Sequence, residues 1–264
     1  MLQLFEYDPR LSATFATQQR WLMSHIGLSL YFRGMNDNPH GGLNLSSFLD
    51  AVHAHRVASR NTADSYIKEM IHYKYLVLID NPQDKRVRPF LPTPASLQVF
   101  GGWLQAHLAS LDSLAGGRRL AQFQANPSMM PALQPLIADG LLAAHAVRYP
   151  EKTFSLFTWL DNGGVVMDWL ITNMEPATLE AERVRVGAFS ISEMAARLSL
   201  SRTHLARKLR EAEELGSIGW EGRRGHSTLW VSRGFRLEYA GAQAVKLSII
   251  DHACEAVMGL LAAA

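Results

Sequence analysis

The sequence of 264 residues contains one cysteine, Cys254. A lone thiol cannot close a disulfide within the chain, so this is no bridge-stapled scaffold, and a reducing compartment suits it. Long apolar runs are missing too. The most apolar stretch, VKLSIIDHACEAVMGLLAAA, is interrupted by Asp251, His252 and Glu255, which argues against a membrane span. The opening MLQLFEYDPR puts Glu6 and Asp8 where a secretory leader carries cations and an apolar core, so a cytoplasmic location is expected and export is not. Catalytic signatures are equally scarce. No serine sits in a Gly-x-Ser-x-Gly elbow, and nothing around Cys254 marks a nucleophile. The glycine pairs at 41/42, 116/117 and 163/164 lack the following residues of a nucleotide loop and read as turns. His53 and His55 lie two apart in a helical pattern, about 200° around the helix from each other, and cannot share a metal ion. Nothing here argues for an enzyme, a cofactor or a metal.

What the sequence does carry is an uneven charge. The formal net charge is only +2. Residues 183 to 236 nevertheless hold eleven Lys/Arg against five Asp/Glu, residues 46 to 94 hold seven against five, and the remainder holds eight against fourteen. Two basic segments in an otherwise acidic chain form a localised footprint for a polyanion.

The more basic segment includes SISEMAARLSLSRTHLARKLREAEELGSIGW, residues 190 to 220. Ser190 and Glu193 have the spacing of a capping box, which predicts a helix start. Ser201 has the chemistry of a second helix N-cap, and Leu205, Leu209, Ala212 and Leu215 recur at helical spacing before Gly216 ends the run. With Leu205 and Leu209 turned to a core, Thr203, Arg207, Arg210 and Glu214 fall on the opposite face, with His204 and Glu211 at its edge. Arg202, Arg207 and Lys208 lie toward the helix N-terminus and Glu211, Glu213 and Glu214 toward its C-terminus. The macrodipole favours the reverse order, so the arrangement gains most if phosphates meet the first turns. Pairs Arg207/Glu211 and Arg210/Glu214 would offset part of the cost. Two strands, 217–221 and 227–232, flank Gly222-Arg223-Arg224-Gly225 and predict a hairpin with a basic tip. A helix, a turn, a helix and a basic hairpin together suit DNA: the second helix for the major groove, Arg223 and Arg224 for the minor groove or its phosphates.

The same order recurs upstream as a weak internal repeat. Residues 47–54 predict a short helix, Ser59-Arg60 echoes Ser201-Arg202, and Ala63, Ile67, Met70 and Tyr73 match Leu205, Leu209, Ala212 and Leu215 at a constant offset. The outward candidates become Asn61, Thr62, Ser65 and Lys68. Leu76-Val77-Leu78-Ile79 and residues 87–91 flank a turn at 80–86, a second hairpin.

The run from Ser59 to Ser96 resembles the recognition helix and wing of the MarR (multiple antibiotic resistance regulator) family. The matching motifs are Asp80-x-Pro82-x-Asp84-x-Arg86 at the tip and Leu91-x-Thr93-Pro94-Ala95 before a long helix. The resemblance implies that Arg86 enters the minor groove and that Asp84 helps hold it. It implies a winged helix flanked by dimerising helices; residues 11–32 and 95–114 would serve the first domain, 157–173 and 235–261 the second. It also implies a small phenolic or apolar effector bound near Trp21, Tyr31, Trp103, Trp159 and Trp169, residues that otherwise read as packing between the halves.

The expected fold is mainly α with small sheets: two winged helix-turn-helix domains, 1–150 and 151–264, joined by long helices as a single-chain pseudo-dimer with a boundary near 148–155. The expected function is sequence-specific binding of double-stranded DNA by a transcriptional regulator, as a monomer or a homodimer, associated with the nucleoid, on a bipartite and asymmetric site. Its readers would be Arg60, Asn61, Thr62, Ser65 and Lys68, then Arg202, Thr203, His204, Arg207 and Arg210, with Arg86, Arg223 and Arg224 on the wings. One alternative is a plasmid-type replication initiator on iterated repeats. Another is a protein-interaction module whose first winged helix, with Asp64 in its second helix, does not bind DNA.

Overall fold

The computed structural model describes residues 17–35, 42–79, 88–160 and 162–263, with side chains as far as 259. The protein is mainly helical, with small antiparallel sheets. It divides into two compact units, one of Gln19–Ala144 with Lys246–Ala264, the other built on His145–Val245. The long last helix is therefore shared. Its residues from Lys246 onward group with the first unit, whereas the expected partition left all of 151–264 together.

The first unit contains α1 (Gln18–Gly34), α2 (Leu45–Ala54), α3 (Arg60–His72), β1 (Leu76–Leu78), β2 (Phe90–Pro92), α4 (Pro94–Ala115), α5 (Arg119–Ala125) and α6 (Met130–Ala143). Helices α2 and α3 each bury one apolar stripe, Phe48, Leu49 and Val52 on one, Ala63, Ile67 and Met70 on the other. Tyr66 completes that stripe: its ring stacks near Phe48, and its hydroxyl shares a 2.7 Å hydrogen bond with Ser24 of α1. Burial pushes its phenol up to about 12.

Helices α1 and α4 enclose a polar pair in an aromatic box. His25 is fully buried, with the rings of Trp21, Phe100 and Trp103 at 4.7, 5.0 and 5.2 Å. His107 lies 4.3 Å from Trp103 and bonds that residue's carbonyl oxygen through Nδ1. Both imidazoles are pushed down to about 3, by burial first, then by His107 and Lys246 for His25 and by Lys246 for His107. At the far end of α4, Arg119 joins Asp112 at 3.2 Å and Asp251 at 2.6 Å, and the Asp112 carboxylate caps α5 by accepting the Arg119 and Leu120 N–H groups.

The second unit runs through α7 (His145–Arg148), α8 (Lys152–Thr158), α9 (Gly163–Thr172), β3 (Arg183–Ala188), α10 (Ile191–Arg197), α11 (Arg202–Glu214), β4 (Ile218–Trp220), β5 (Thr228–Ser232) and α12 (Arg233–Ala263). Its core gathers Phe157, Leu160, Val166 and Leu170 against Leu205, Leu209, Leu229 and Val231. The sheet order is β3-β5-β4, all antiparallel. Strand β3 was not anticipated, although Arg183-Val184-Arg185-Val186 alternates exposed and buried as a half-covered strand should.

Residues 157–173 do not form the single helix expected. The chain breaks between Thr158 and Gly163, where Asn162 takes φ 55° and its side-chain amide donates to the Leu198 carbonyl at 2.9 Å. A Cβ on Gly163 would lie 1.8 Å from the Phe157 carbonyl oxygen, so the glycine pair at 163/164 opens a helix packed tightly on the preceding turn. The break secures the end of α10, and with it the start of α11.

The internal repeat extends to individual hydrogen bonds. Ser59 Oγ accepts from Thr62 N at 3.2 Å, and Ser201 Oγ accepts from His204 N at 3.4 Å, so both thirteen-residue helices start as expected. Both end in a Schellman motif. Lys74 N–H donates to Ile71 and Tyr75 N–H to Met70; Gly216 N–H donates to Glu213 and Ser217 N–H to Ala212. Further on, Tyr75 and Ser217 accept from Thr93 N and Ser232 N at 3.0 and 2.9 Å, while Ile79 and Glu221 donate to Pro89 and Thr228, both at 2.9 Å. Tyr73 and Leu215, the last apolar positions of the two patterns, are C-caps and stand 48% and 55% exposed.

Candidate nucleic-acid interface

Helix α11 buries Leu205, Leu209 and Ala212 and leaves Arg202, Thr203, His204, Arg207, Arg210 and Glu214 exposed. The polar face worked out from the 100° step is therefore the solvent face. Its first turn carries no acidic residue, so Arg202 is unopposed beside the free N–H groups of the helix start. Of the two expected pairs, Arg207 with Glu211 forms and Arg210 with Glu214 does not. Glu211 is taken by Lys208 at 2.7 Å, with Arg207 at 3.8 Å, and no ion pair links Arg210 to Glu214 among the described residues. Arg202 and Arg210 have no carboxylate within ion-pair distance among the described residues, which leaves one unneutralised guanidinium group on the face and one in the first turn of the helix.

The β4–β5 hairpin stands beside this face. Arg224 makes an ion pair with Glu213 of α11, and Arg223 is exposed. Arg185 of β3, which the sequence does not single out, pairs with Glu221 at 2.7 Å where β4 enters the hairpin tip, and that carboxylate holds its guanidinium pKa above the usual value. Arg183 lies over the Trp230 ring at 4.2 Å. Alternation along β3 was the available signal for both.

In the first unit Arg60, Asn61, Thr62, Ser65 and Lys68 are all exposed along α3, but their surroundings differ. Lys68 is paired with Asp64 at 2.6 Å and Arg60 with Asp50 at 3.4 Å. The Thr62 hydroxyl lies 2.8 Å from that of Ser59, so it is occupied in capping the helix. Arg86, with Asp80, Pro82 and Asp84, lies outside the described residues. Strand β1 leaves Val77 and Leu78 43% and 41% exposed, whereas Ile218, the counterpart of Leu76, is 1% exposed in β4.

Among the described residues no three His, Cys, Asp or Glu side chains gather where they could hold a metal ion, and no helix is long and apolar enough to cross a membrane. His53 and His55 are both exposed. A shallow apolar cavity of about 310 Å³ lies in the first unit between Leu136 and Gly140 of α6 and Ile249 and Ala253 of α12. Of the tryptophans expected to pack between the halves, Trp21 and Trp103 lie together, 6.1 Å apart. Trp169 packs on Phe189 at 5.3 Å, and Trp159 is 54% exposed. No family model, curated protein or solved structure matches the chain.

Proposed function

We propose that the protein is a double-stranded DNA-binding transcriptional regulator with two winged helix-turn-helix domains in one chain, of which the second is the principal reader. The observation that carries this reading is the solvent face of α11. Thr203, Arg207 and Arg210 share one surface opposite the buried Leu205 and Leu209, with His204 at its edge and Arg202 exposed in the first turn, and Arg202 and Arg210 are unpaired among the described residues. In a helix-turn-helix the first turns of the second helix meet base edges. Unpaired guanidinium groups there can bind guanine or phosphate without first breaking an ion pair.

A second reading, in which the first domain contacts protein instead of DNA, is favoured by specific features. Its two candidate cations on α3 are already neutralised by Asp64 and Asp50. Its hairpin also exposes Val77 and Leu78. Both readings keep the second domain on DNA.

Fluorescence anisotropy with a pool of genomic duplexes at several salt concentrations tests this. The wild type is expected to bind selectively and with a steep salt dependence. Arg207→Ala/Arg210→Ala is expected to lose about ten- to hundredfold in affinity for the selected duplexes. If Asn61→Ala/Lys68→Ala loses selectivity as well, both domains read DNA; if it binds as the wild type does, the first domain is the protein-facing one. Weak, sequence-blind binding by the wild type would sink the regulator assignment. Tandem origin repeats among the selected duplexes would replace it with a replication initiator.

A further inference from the structure

The tip of the β4–β5 hairpin carries two adjacent arginines in different circumstances. His226 N–H donates to the Arg223 carbonyl at 3.1 Å, closing residues 223–226 as a β-turn, and Gly225 at its third position takes φ 74°. That value is open to glycine at little cost and belongs to a type II turn. The Ser227 hydroxyl donates to the same carbonyl at 2.9 Å. Gly225 is buried, and a Cβ there would lie 2.9 Å from Ile191 Cδ1, so the turn rests directly on the first residue of α10. Arg224 reaches the other way and pairs with Glu213, three residues before the end-cap glycine of α11. The tip is thus tied to both helices of the pair. Arg223, in the same turn, is exposed and has no carboxylate within ion-pair distance among the described residues.

We propose that the two arginines divide the work. Arg223 is the wing cation that meets DNA phosphate, and Arg224 is a positioning residue that, through Glu213, holds the wing at a set angle to α11. This rests on the reading of the second domain as DNA-binding. An arginine already neutralised by a carboxylate on its own protein must break that pair to bind phosphate, and its net release of counterions is small. An unpaired arginine on a rigid turn pays neither cost.

The test uses the full chain, duplexes selected by the wild type, and two readouts: the slope of log affinity against log salt, and amide hydrogen exchange at His226 without DNA. Arg223→Ala is expected to weaken binding to all sequences and flatten the slope by about one unit, with His226 protection unchanged. Arg224→Ala and Glu213→Gln are expected to speed His226 exchange and weaken binding alike while leaving the slope in place, and Arg224→Lys to restore most of both. A slope lowered by a unit in Arg224→Ala, or tighter binding by Glu213→Gln, would make Arg224 a DNA contact and overturn the division. Unchanged His226 exchange in both would overturn the positioning role whatever the DNA result. A wild type with no salt-dependent DNA binding would remove the regulator reading and the role of Arg223 with it, and the exchange data would still report on the tie between Arg224 and Glu213.

Discussion

Lys74 and Gly216 hold the same place in two helices of equal length. Each is the left-handed residue just past the C-cap, at φ 61° and 71°, that lets the next N–H reach back to the last turn. For a residue with a Cβ that conformation costs roughly 1 kcal/mol or more, and for glycine it does not.

Lys74→Gly is therefore expected to stabilise the first unit by about 0.5 kcal/mol, the relief of strain exceeding glycine's entropy cost in the unfolded chain. Gly216→Lys should destabilise the second unit by about 1 kcal/mol. Urea melts of the two variants check both signs, and equal effects of the same sign would show that the two helix ends are not equivalent.

Gly219 stands where the first repeat has Val77, and the two sites tolerate side chains very differently. A Cβ on Gly219 would lie 2.1 Å from Trp230 Cζ2, and Trp230 is itself covered by the Arg183 guanidinium at 4.2 Å. Gly219→Ala should cost about 1–3 kcal/mol by displacing that ring. The change would be read in tryptophan emission and in the thermal midpoint, with Val77→Ala, 43% exposed, as the near-neutral comparison.

The histidines of the aromatic box make the first unit acid-sensitive. Both have folded pKa values of about 3 against 6.5 in the unfolded chain, so below pH 6.5 the unfolded state binds more protons than the folded state. The stability they contribute is complete above 6.5 and is lost as pH falls toward 3, at up to about 1.4 kcal/mol per pH unit for each histidine. Urea midpoints from pH 7 to pH 5 should fall. In His107→Gln the fall should be about half as steep, and an unchanged slope in that variant would place the sensitivity elsewhere.

The ion pairs on α3 give a direct handle on the first domain's role. Asp64→Asn frees Lys68, and Asp50→Asn frees Arg60. Because the pairs are exposed, each change should alter stability by less than about 1 kcal/mol. If α3 lies against DNA, each should raise affinity about two- to fivefold by removing a repelling charge and releasing a cation. No change in either variant, measured by anisotropy on selected duplexes, would support a protein-facing first domain.

Much of the local structure was legible because its causes are neighbours in sequence. A serine at position 59 or 201 caps a helix by bonding a backbone N–H three residues on. The 100° step likewise predicts the outer face of α11 wherever the opposite stripe is apolar enough to be buried. Equally local are the glycine ending α11 and the turn residues of its hairpin, so the boundaries of β4 and β5 fell within a residue or two of expectation.

The partners that modify those elements lie far away in the chain or depend on side-chain reach, and no spacing rule encodes them. The break at 158–163 follows from Asn162 finding the Leu198 carbonyl, thirty-six residues later. Strand β3 exists as a strand because β5, from Thr228 to Ser232, pairs with it from far along the chain. Which arginines are unpaired was settled the same way. Sequence order allowed Arg210 a partner in Glu214, and it assigned Arg223 and Arg224 one role. Packing instead brought Glu213 to Arg224 and left Arg210 and Arg223 without a carboxylate among the described residues. Helical periodicity places charge on a face, since it depends only on backbone geometry. Which of those charges is left unneutralised is a matter of distances of a few ångströms between side chains, and these arise when the elements fold together.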